Sequence, residues 1–173
     1  MRVIGGTHRG RALASVGKGD VSAHLRPTSD RVRESLFNVL AGGYGDPCRG
    51  ARVLDMFAGT GALGLEALSR GAEFVGFIEN GRKAQTLLAQ NISLCRAEGE
   101  TKVYCNDVRR LGKNTGAAFD LVFLDPPYGK GLGEAAMEMA IKGGWISDNA
   151  LIIWEENTAI QAPDGLHLIE ARK

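Results

Sequence analysis

The chain has 173 residues and a net charge of +1, with 44% hydrophobic and 24% charged residues, and these values predict one soluble globular domain. No run of about 20 apolar residues could span a membrane, and no apolar signal stretch follows Met1. The three cysteines lack the spacing of a zinc ribbon or a disulfide scaffold, so a reducing cytoplasm is expected.

The first part of the chain is a basic segment. Residues 1–35 hold seven of the 21 Lys and Arg residues but three of the 20 acidic residues, a net +4 that leaves −3 for the rest. This concentration favours a polyanionic partner, although a solvated basic surface is as common. Val3-Ile4 and Arg11–Leu13 flank glycines and predict a small β-hairpin. We therefore expect a basic N-terminal arm over 1–26 and the main domain over 27–173.

The segment after the arm predicts a helix that begins at Thr28, Ser29 or Asp30, each able to cap it, and ends at Gly42-Gly43. Beyond it, short apolar strands alternate with amphipathic helices. Strands are predicted at 52–57, 74–79, 102–105, 121–124, 151–154 and 166–169, and helices at 62–69, 82–96 and 132–141. Strands that are apolar on both faces indicate a parallel sheet covered on both sides. The predicted fold class is α/β, a doubly wound, mostly parallel sheet with an N-terminal β-hairpin extension.

Polar or glycine-rich segments follow four successive predicted strands. The first strand ends at Asp55 and leads into the Gly59–Gly64 loop, while the next three end at Glu79, Asp107 and Asp125. In an open parallel sheet, ligands bind outside the carboxyl ends of the strands. These four segments are therefore predicted to form one site.

The first two segments are typical of a nucleoside site. Gly59 and Gly61 satisfy a Gly-x-Gly-x-x-Gly pattern, a weak signal by itself, and lack the Cβ atoms that would keep a ligand from the backbone. Glu79 follows Gly59 by 20 residues, where a carboxylate can accept from both ribose hydroxyls. An NAD-dependent oxidoreductase would share both features. Asp55, however, would repel a pyrophosphate and attract a cationic amine, which favours an aminoacyl nucleoside such as S-adenosylmethionine.

The fourth segment, Asp125-Pro126-Pro127-Tyr128, predicts an acceptor for a planar exocyclic amine. The two prolines end the strand and remove two N–H donors, which leaves carbonyl groups available. The Asp125 carboxylate and the Pro126 carbonyl can accept the two N–H bonds of an amine, and Tyr128 can stack on the ring that carries it. The alternative is a structural Pro-Pro turn capped by Asp125.

The glycine-rich and Pro-Pro motifs together resemble those of the class I S-adenosylmethionine-dependent amino-methyltransferases, which have a Rossmann-like fold. Four N-terminal pieces are similar to one family among them, the bacterial small-subunit (16S) ribosomal RNA guanine-N2 methyltransferases of RsmD type. These pieces are Ile4–Gly6, Arg9–Arg11, Arg26–Glu34 and Leu36–Asn38. The resemblance covers nearly the whole chain, and the Arg-Pro-Thr segment that starts at Arg26 is its family-specific part.

The resemblance implies methyl transfer from S-adenosylmethionine to a guanine N2 amine, in ribosomal RNA or a small-subunit particle, by a monomeric, metal-free cytoplasmic enzyme. The implied cofactor-binding residues are Thr28, Asp55, Phe57, Ala58, Gly59, Gly61, Glu79, Asn80, Asp107 and Val108. The implied catalytic group is Asp125, Pro126, Pro127 and Tyr128. From the charge of the arm, Arg9, Arg11, Arg26 and Arg33 are predicted to contact RNA phosphates. The chain departs from the family at its end, where one more strand is expected.

Three other functions remain possible at this point. A methyltransferase acting on DNA adenine or on a protein amide could use the same acceptor geometry. An NAD-dependent oxidoreductase would share the glycine-rich loop. A catalytically inert RNA-binding module would share the basic arm, although it would have no need for an intact acceptor motif.

Overall fold

The computed structural model describes residues 1–16 and 28–172. Its helices are α1 (Asp30–Gly43), α2 (Ala62–Ser69), α3 (Arg82–Cys95) and α4 (Leu132–Lys142). Its strands are β1 (Arg52–Asp55), β2 (Phe74–Ile78), β3 (Thr101–Tyr104), β4 (Phe119–Leu124) and β5 (Ile146–Trp154). Two short 3₁₀ turns, Glu98–Glu100 and Val108–Arg110, lie on either side of β3. None of the described helices is long and apolar enough to cross a membrane.

The five strands form one parallel sheet in the order β3-β2-β1-β4-β5. The chain moves outward from β1 to β3 and then returns to the other side of β1 with β4. This reversal leaves a crevice between the carboxyl ends of β1 and β4, where ligands bind in sheets of this kind. The predicted doubly wound α/β fold is therefore confirmed.

Alternate side chains of the strands face two separate core layers. Val53, Val75, Phe77, Leu121 and Phe123 pack with buried residues of α1, α2 and α3. Leu54, Ile78, Val122 and Leu124 pack on the opposite face with buried residues of α4. Because both faces are covered, the central strands read as continuous apolar runs.

Helix α1 begins at one of the three capping residues that the sequence offers. The Ser29 hydroxyl accepts a hydrogen bond from the Val32 backbone N–H at 3.3 Å, and the backbone N–H of Tyr44 donates to Leu40 at the other end. Phe37 and Leu40 are buried in the same layer as β1 and β4. This packing places the start of α1, and Thr28 before it, near the carboxyl end of β4.

The predicted hairpin is present in the described part of the arm. Arg2 and Ala12 form an antiparallel bridge, and the Val3 N–H donates to the Arg11 carbonyl at 3.0 Å. Val3 and Leu13 are buried in the layer that contains α2. The hairpin is thus an integral part of the hydrophobic core.

Helix α2 holds the hairpin through a buried carboxylate. The backbone N–H groups of Ile4 and Gly5 donate to Glu66 at 2.7 and 2.8 Å, and the Arg70 guanidinium pairs with the same carboxylate at 2.8 Å. Gly6 follows with a φ of +74°, and a Cβ there would lie 1.7 Å from the Ser69 carbonyl oxygen. The Gly5-Gly6 pair is therefore required for close contact between the hairpin and α2.

The strand predicted at 166–169 is wrong. This segment forms no strand, and Leu168 and Ile169 remain 73% and 72% exposed. An apolar alternation becomes a strand only when a neighbouring edge supplies ladder hydrogen bonds, and within residues 1–16 and 28–172 the sheet ends at β5. Strand β5 itself begins at Ile146, five residues earlier than predicted, because its polar first half lies at that exposed edge.

Candidate active site

Three of the predicted carboxylates lie beside one another at the carboxyl ends of neighbouring strands. Asp55 is the last residue of β1, Glu79 directly follows β2, and Asp125 directly follows β4. Each lies two residues beyond a side chain of the same core layer, namely Val53, Phe77 and Phe123. Since adjacent strands are about 4.8 Å apart, the three carboxylates form a short row with Asp55 in the middle.

Asp55 is the most deeply buried member of this row, with 3% of its surface exposed. Its Oδ2 accepts a hydrogen bond from the Gly64 backbone N–H at 3.1 Å. The pKa of Asp55 is raised from 3.8 to about 7, mainly by burial and to a lesser extent by the charges of Asp125 and Glu79, against the lowering effect of the Gly64 hydrogen bond. A carboxylate in this state would be stabilised by a cation.

The glycine-rich loop after β1 is shaped by contacts within the protein. Gly61 has a φ of +80°, and a Cβ there would lie 2.4 Å from Cδ1 of Leu88 in α3. A Cβ on Gly64 would lie equally close to the Phe77 ring. These two glycines are therefore required for packing of the loop against β2 and α3, whereas the sequence predicted a backbone opened toward a ligand.

Glu79 connects the loop to the start of α3. Its Oε2 accepts from the Gly59 N–H at 2.8 Å, and its Oε1 accepts from the Gly81 N–H at 2.7 Å. The Gln85 side-chain amide donates to the Glu79 backbone carbonyl at 2.7 Å. Each carboxylate oxygen retains a lone pair beyond these bonds, so Glu79 can still accept from ligand hydroxyls.

A small cavity of about 40 Å³ lies next to Glu79. It is lined by Met56, Phe57, Ile78, Glu79, Asn80, Asn106 and Val108. Four of these residues were predicted for the cofactor, namely Phe57, Glu79, Asn80 and Val108. Ala58, also predicted, is buried next to the cavity, and its N–H donates to the Ile78 carbonyl at 3.1 Å. Asn106 was missed, although a polar residue beside Asp107 after an apolar strand is a usable signal.

Asp107 itself is bound to a neighbouring arginine. Its carboxylate caps the 3₁₀ turn after β3 by accepting from the Arg109 backbone N–H at 2.9 Å, and it also accepts from the Arg109 guanidinium at 2.5 Å. This pairing lowers the pKa of Asp107 to about 2. The residues on either side of it, Asn106 and Val108, line the cavity, while Asp107 does not.

The acceptor segment meets two other parts of the chain. The Thr28 hydroxyl donates to Oδ2 of Asp125 at 3.4 Å, so the Arg-Pro-Thr segment reaches the end of β4. The Tyr128 hydroxyl donates to Oε1 of Glu155 at 2.5 Å. Pro126 is buried between them, and Pro127 is half-buried. Glu155 was not predicted, although it directly follows β5 as Asp125 follows β4.

The four arginines predicted to contact RNA have different positions. Arg9 is exposed at the tip of the hairpin, whereas the exposed Arg11 donates to the Leu94 carbonyl at the end of α3. Arg26 lies outside the described residues. The prediction for Arg33 is corrected, because this residue is completely buried, with NH2 donating to Asp30 and to the Arg2 carbonyl, both at 2.6 Å.

Asn91 on α3 links the hairpin to the glycine-rich loop. This fully buried side chain donates to the carbonyls of Thr60 and Ala14, at 2.8 and 3.0 Å, and accepts from the Ala14 N–H at 2.7 Å. All of its hydrogen-bonding groups are used for these contacts. The arm and the candidate cofactor loop are therefore held in one fixed arrangement.

The chain is similar to known proteins along nearly all of its length. The sequence model of a family described as Conserved hypothetical protein 95 matches residues 1–173. "Ribosomal RNA small subunit methyltransferase D" of Escherichia coli (strain K12) is 42% identical over 155 residues, which are 90% of this chain and 74% of that protein. The protein of the same name from Haemophilus influenzae is 38% identical over 159 residues, 90% of this chain and 78% of that one.

The fold is also similar to solved structures. The Escherichia coli protein yhhF, described as a "putative methyltransferase", gives a TM-score of 0.78 at 39% identity and covers 95% of this chain and 86% of its own. A Thermus thermophilus protein of undescribed function gives a TM-score of 0.69 at 31% identity and covers 98% and 90%. Sequence and fold therefore point to the same group of proteins.

Proposed function

The chain belongs to the RsmD family, described as Conserved hypothetical protein 95, and from this premise we propose that it transfers a methyl group from S-adenosylmethionine to the exocyclic N2 amine of a guanine in small-subunit ribosomal RNA. The names of its relatives support ribosomal RNA as the substrate. The donor and the N2 position are inferred from the site. The observation that carries them is the carboxylate row, which places Asp55 and Glu79 beside the acceptor carboxylate Asp125.

The residues at the ends of β1 and β2 fit a nucleoside cofactor that carries positive charge. Asp55 is desolvated and lies between two further acidic groups, so a cation beside it would lower its pKa and be bound more tightly in return. Glu79 has the lone pairs to accept from ribose hydroxyls, and the cavity beside it offers the apolar Phe57 and the amide of Asn106 to a base. The same acidic row disfavours the pyrophosphate of NAD.

At the end of β4, the protein's own groups are arranged to hold an amine. We infer that the Asp125 carboxylate and the Pro126 carbonyl accept the two N–H bonds, while the Tyr128 ring stacks on the base. This geometry turns the nitrogen lone pair toward the cofactor and stabilises the charge that builds on the amine. When bound, S-adenosylmethionine supplies a methyl group already activated on a sulfonium, so the chain has mainly to orient and bind.

Methylation assays test this proposal directly. Purified protein would be incubated with labelled S-adenosylmethionine and either naked small-subunit ribosomal RNA or small-subunit particles, and the modified nucleotide would be mapped and identified. We expect N2-methylguanine at one position in at least one of these substrates. Label in adenine, in protein or in no substrate would contradict the proposal, and calorimetric binding of NAD in place of S-adenosylhomocysteine would contradict the cofactor.

Replacing Glu79 with Ala is expected to raise the Kd for S-adenosylhomocysteine about 10- to 100-fold, since it removes charge-assisted hydrogen bonds. The change also leaves the Gly59 N–H without its acceptor, so the loop loses a contact. Isothermal titration calorimetry measures the effect. Glu73→Ala is the control, because this exposed residue precedes β2 at the opposite end of the strand. Equal affinities for both variants would remove Glu79 from the site.

Replacing Arg9 and Arg11 together with Ala is expected to flatten the salt dependence of RNA binding by about one to two units of log Kd against log salt. Arg9→Ala alone reports on phosphate contact, because Arg11 also caps the end of α3 through the Leu94 carbonyl. Lys142→Ala on α4 removes the same charge elsewhere and serves as the control. An unchanged slope for the double variant would place the RNA on another surface.

A further inference from the structure

Glu155 lies next to the acceptor carboxylate at the end of the neighbouring strand. Leu124 of β4 is paired with Trp154 of β5, and the Glu155 N–H donates to the Leu124 carbonyl at 2.8 Å. Glu155 therefore continues β5 at the level where Asp125 continues β4. It lies two residues beyond Ile153, which packs on the same core layer as Phe123. Its side chain thus follows Asp125 on the same face, about one strand spacing away.

The Tyr128 hydroxyl fixes the position of this carboxylate relative to the acceptor. Its hydrogen bond to Glu155 Oε1 is 2.5 Å long, a distance typical of a bond to an ionised oxygen. Because the hydroxyl is at the outer end of the ring, Glu155 lies at the margin of the surface on which a base would stack. The edge of a stacked base would then face the carboxylate, which has lone pairs beyond the one that Tyr128 uses.

Guanine carries a matching pair of donors on one edge. Its N1–H is adjacent to the N2 amine, whereas ring N1 is an acceptor in adenine and in 2-aminopurine. If the amine is held by Asp125 and the Pro126 carbonyl, the next donor along that edge is N1–H and the next carboxylate along the sheet is Glu155. We propose that Glu155 is a specificity-determining residue that accepts the N1–H of the target guanine and repels bases with an unprotonated N1. This inference rests on the proposed function.

The test compares two bases that both carry a C2 amine. An RNA fragment containing the mapped guanine would be synthesised with guanine or with 2-aminopurine at that position, and kcat/KM would be measured for both. The wild-type protein is expected to prefer guanine, and Glu155→Gln is expected to reduce this preference about 10- to 100-fold, because the amide can donate to an unprotonated N1 and the charge is lost. A fold defect would lower both rates together and leave the preference unchanged.

Two matched variants separate recognition from positioning. Tyr128→Phe removes the hydroxyl but leaves the carboxylate, so it should retain the preference for guanine. If Glu155 acted only by holding Tyr128, neither variant would change the preference. Glu156→Gln alters the adjacent carboxylate, which accepts from the Asn157 N–H and follows Trp154 on the other face, and it should behave as wild type.

Binding without turnover provides a second measurement. Fluorescence of the 2-aminopurine fragment reports stacking, and Glu155→Gln is expected to bind this fragment several-fold more tightly than the wild type. An unchanged preference and an unchanged affinity in Glu155→Gln, with guanine still methylated by the wild type, would overturn this inference alone. A wild-type protein that methylates no guanine would overturn the proposed function instead.

Discussion

Replacing Asp125 with Ala is expected to lower turnover about 10²- to 10⁴-fold, the range typical of a side chain that manages charge at a reacting atom. The affinity for S-adenosylhomocysteine should change less than about threefold, because Asp55 and Glu79 remain in place. Asp125→Asn should lose less, since its carbonyl oxygen can still accept one N–H. Single-turnover kinetics on ribosomal RNA and calorimetry on the same preparations measure both quantities.

Asp120→Asn on the same strand provides the control for this result. Asp120 is exposed near the start of β4, where it accepts from the Arg52 N–H and the Ser147 hydroxyl, far from the carboxyl end. Its variant should keep full activity. If Asp125→Ala also kept activity, the Asp-Pro-Pro-Tyr segment would be a structural turn, with Thr28 and Tyr128 held there for stability.

The central sheet could be predicted from the sequence because its signals are local. Helix α2 was predicted to the residue, since glycines bound it on both sides and an apolar strand precedes it. The carboxylates Asp55, Glu79 and Asp125 could be placed at one edge because parallel strands share a direction. What this reasoning required was only the alternation of strands and helices, which the apolar periodicity supplies.

The predictions that failed depended on contacts between distant parts of the chain. Arg33 was predicted on the RNA surface from its charge, but it lies on the same helical stripe as Phe37 and Leu40 and is buried with them. Gly61 was predicted to contact a ligand, yet the side chain that requires it is Leu88 of α3. Glu155 was missed because its partner Tyr128 is 27 residues away, and only the pairing of β4 with β5 brings them together.

Asp55→Asn is expected to stabilise the protein without cofactor and to weaken cofactor binding. An unfolded Asp has a pKa near 3.9, whereas the folded pKa of Asp55 is about 7. Between these values the folded chain holds a proton that the unfolded chain has lost, so the free energy of unfolding falls as pH rises. Above about pH 7 the full cost of the buried charge is present, and the neutral amide avoids it.

The stabilisation should therefore depend on pH in a defined direction. The difference in Tm between Asp55→Asn and the wild type should be small near pH 4, grow up to about pH 7 and remain constant above it. The charge costs at most about 4 kcal/mol, and the new amide loses part of this gain because it needs an acceptor. A rise of several degrees is expected, at roughly 2–4 °C for each kcal/mol. Thermal unfolding over this pH range measures it, with exposed Asp148→Asn as control.

The affinity for S-adenosylhomocysteine should change in the opposite direction. In the wild type a bound ammonium group favours the ionised form of Asp55, so binding releases a proton below about pH 7 and the affinity rises with pH up to that point. Asp55→Asn should bind more weakly and lose this dependence, which calorimetry from pH 5.5 to 8.5 would detect. A variant that gained stability but kept the wild-type affinity and pH profile would show that the buried charge at Asp55 does not face the cofactor.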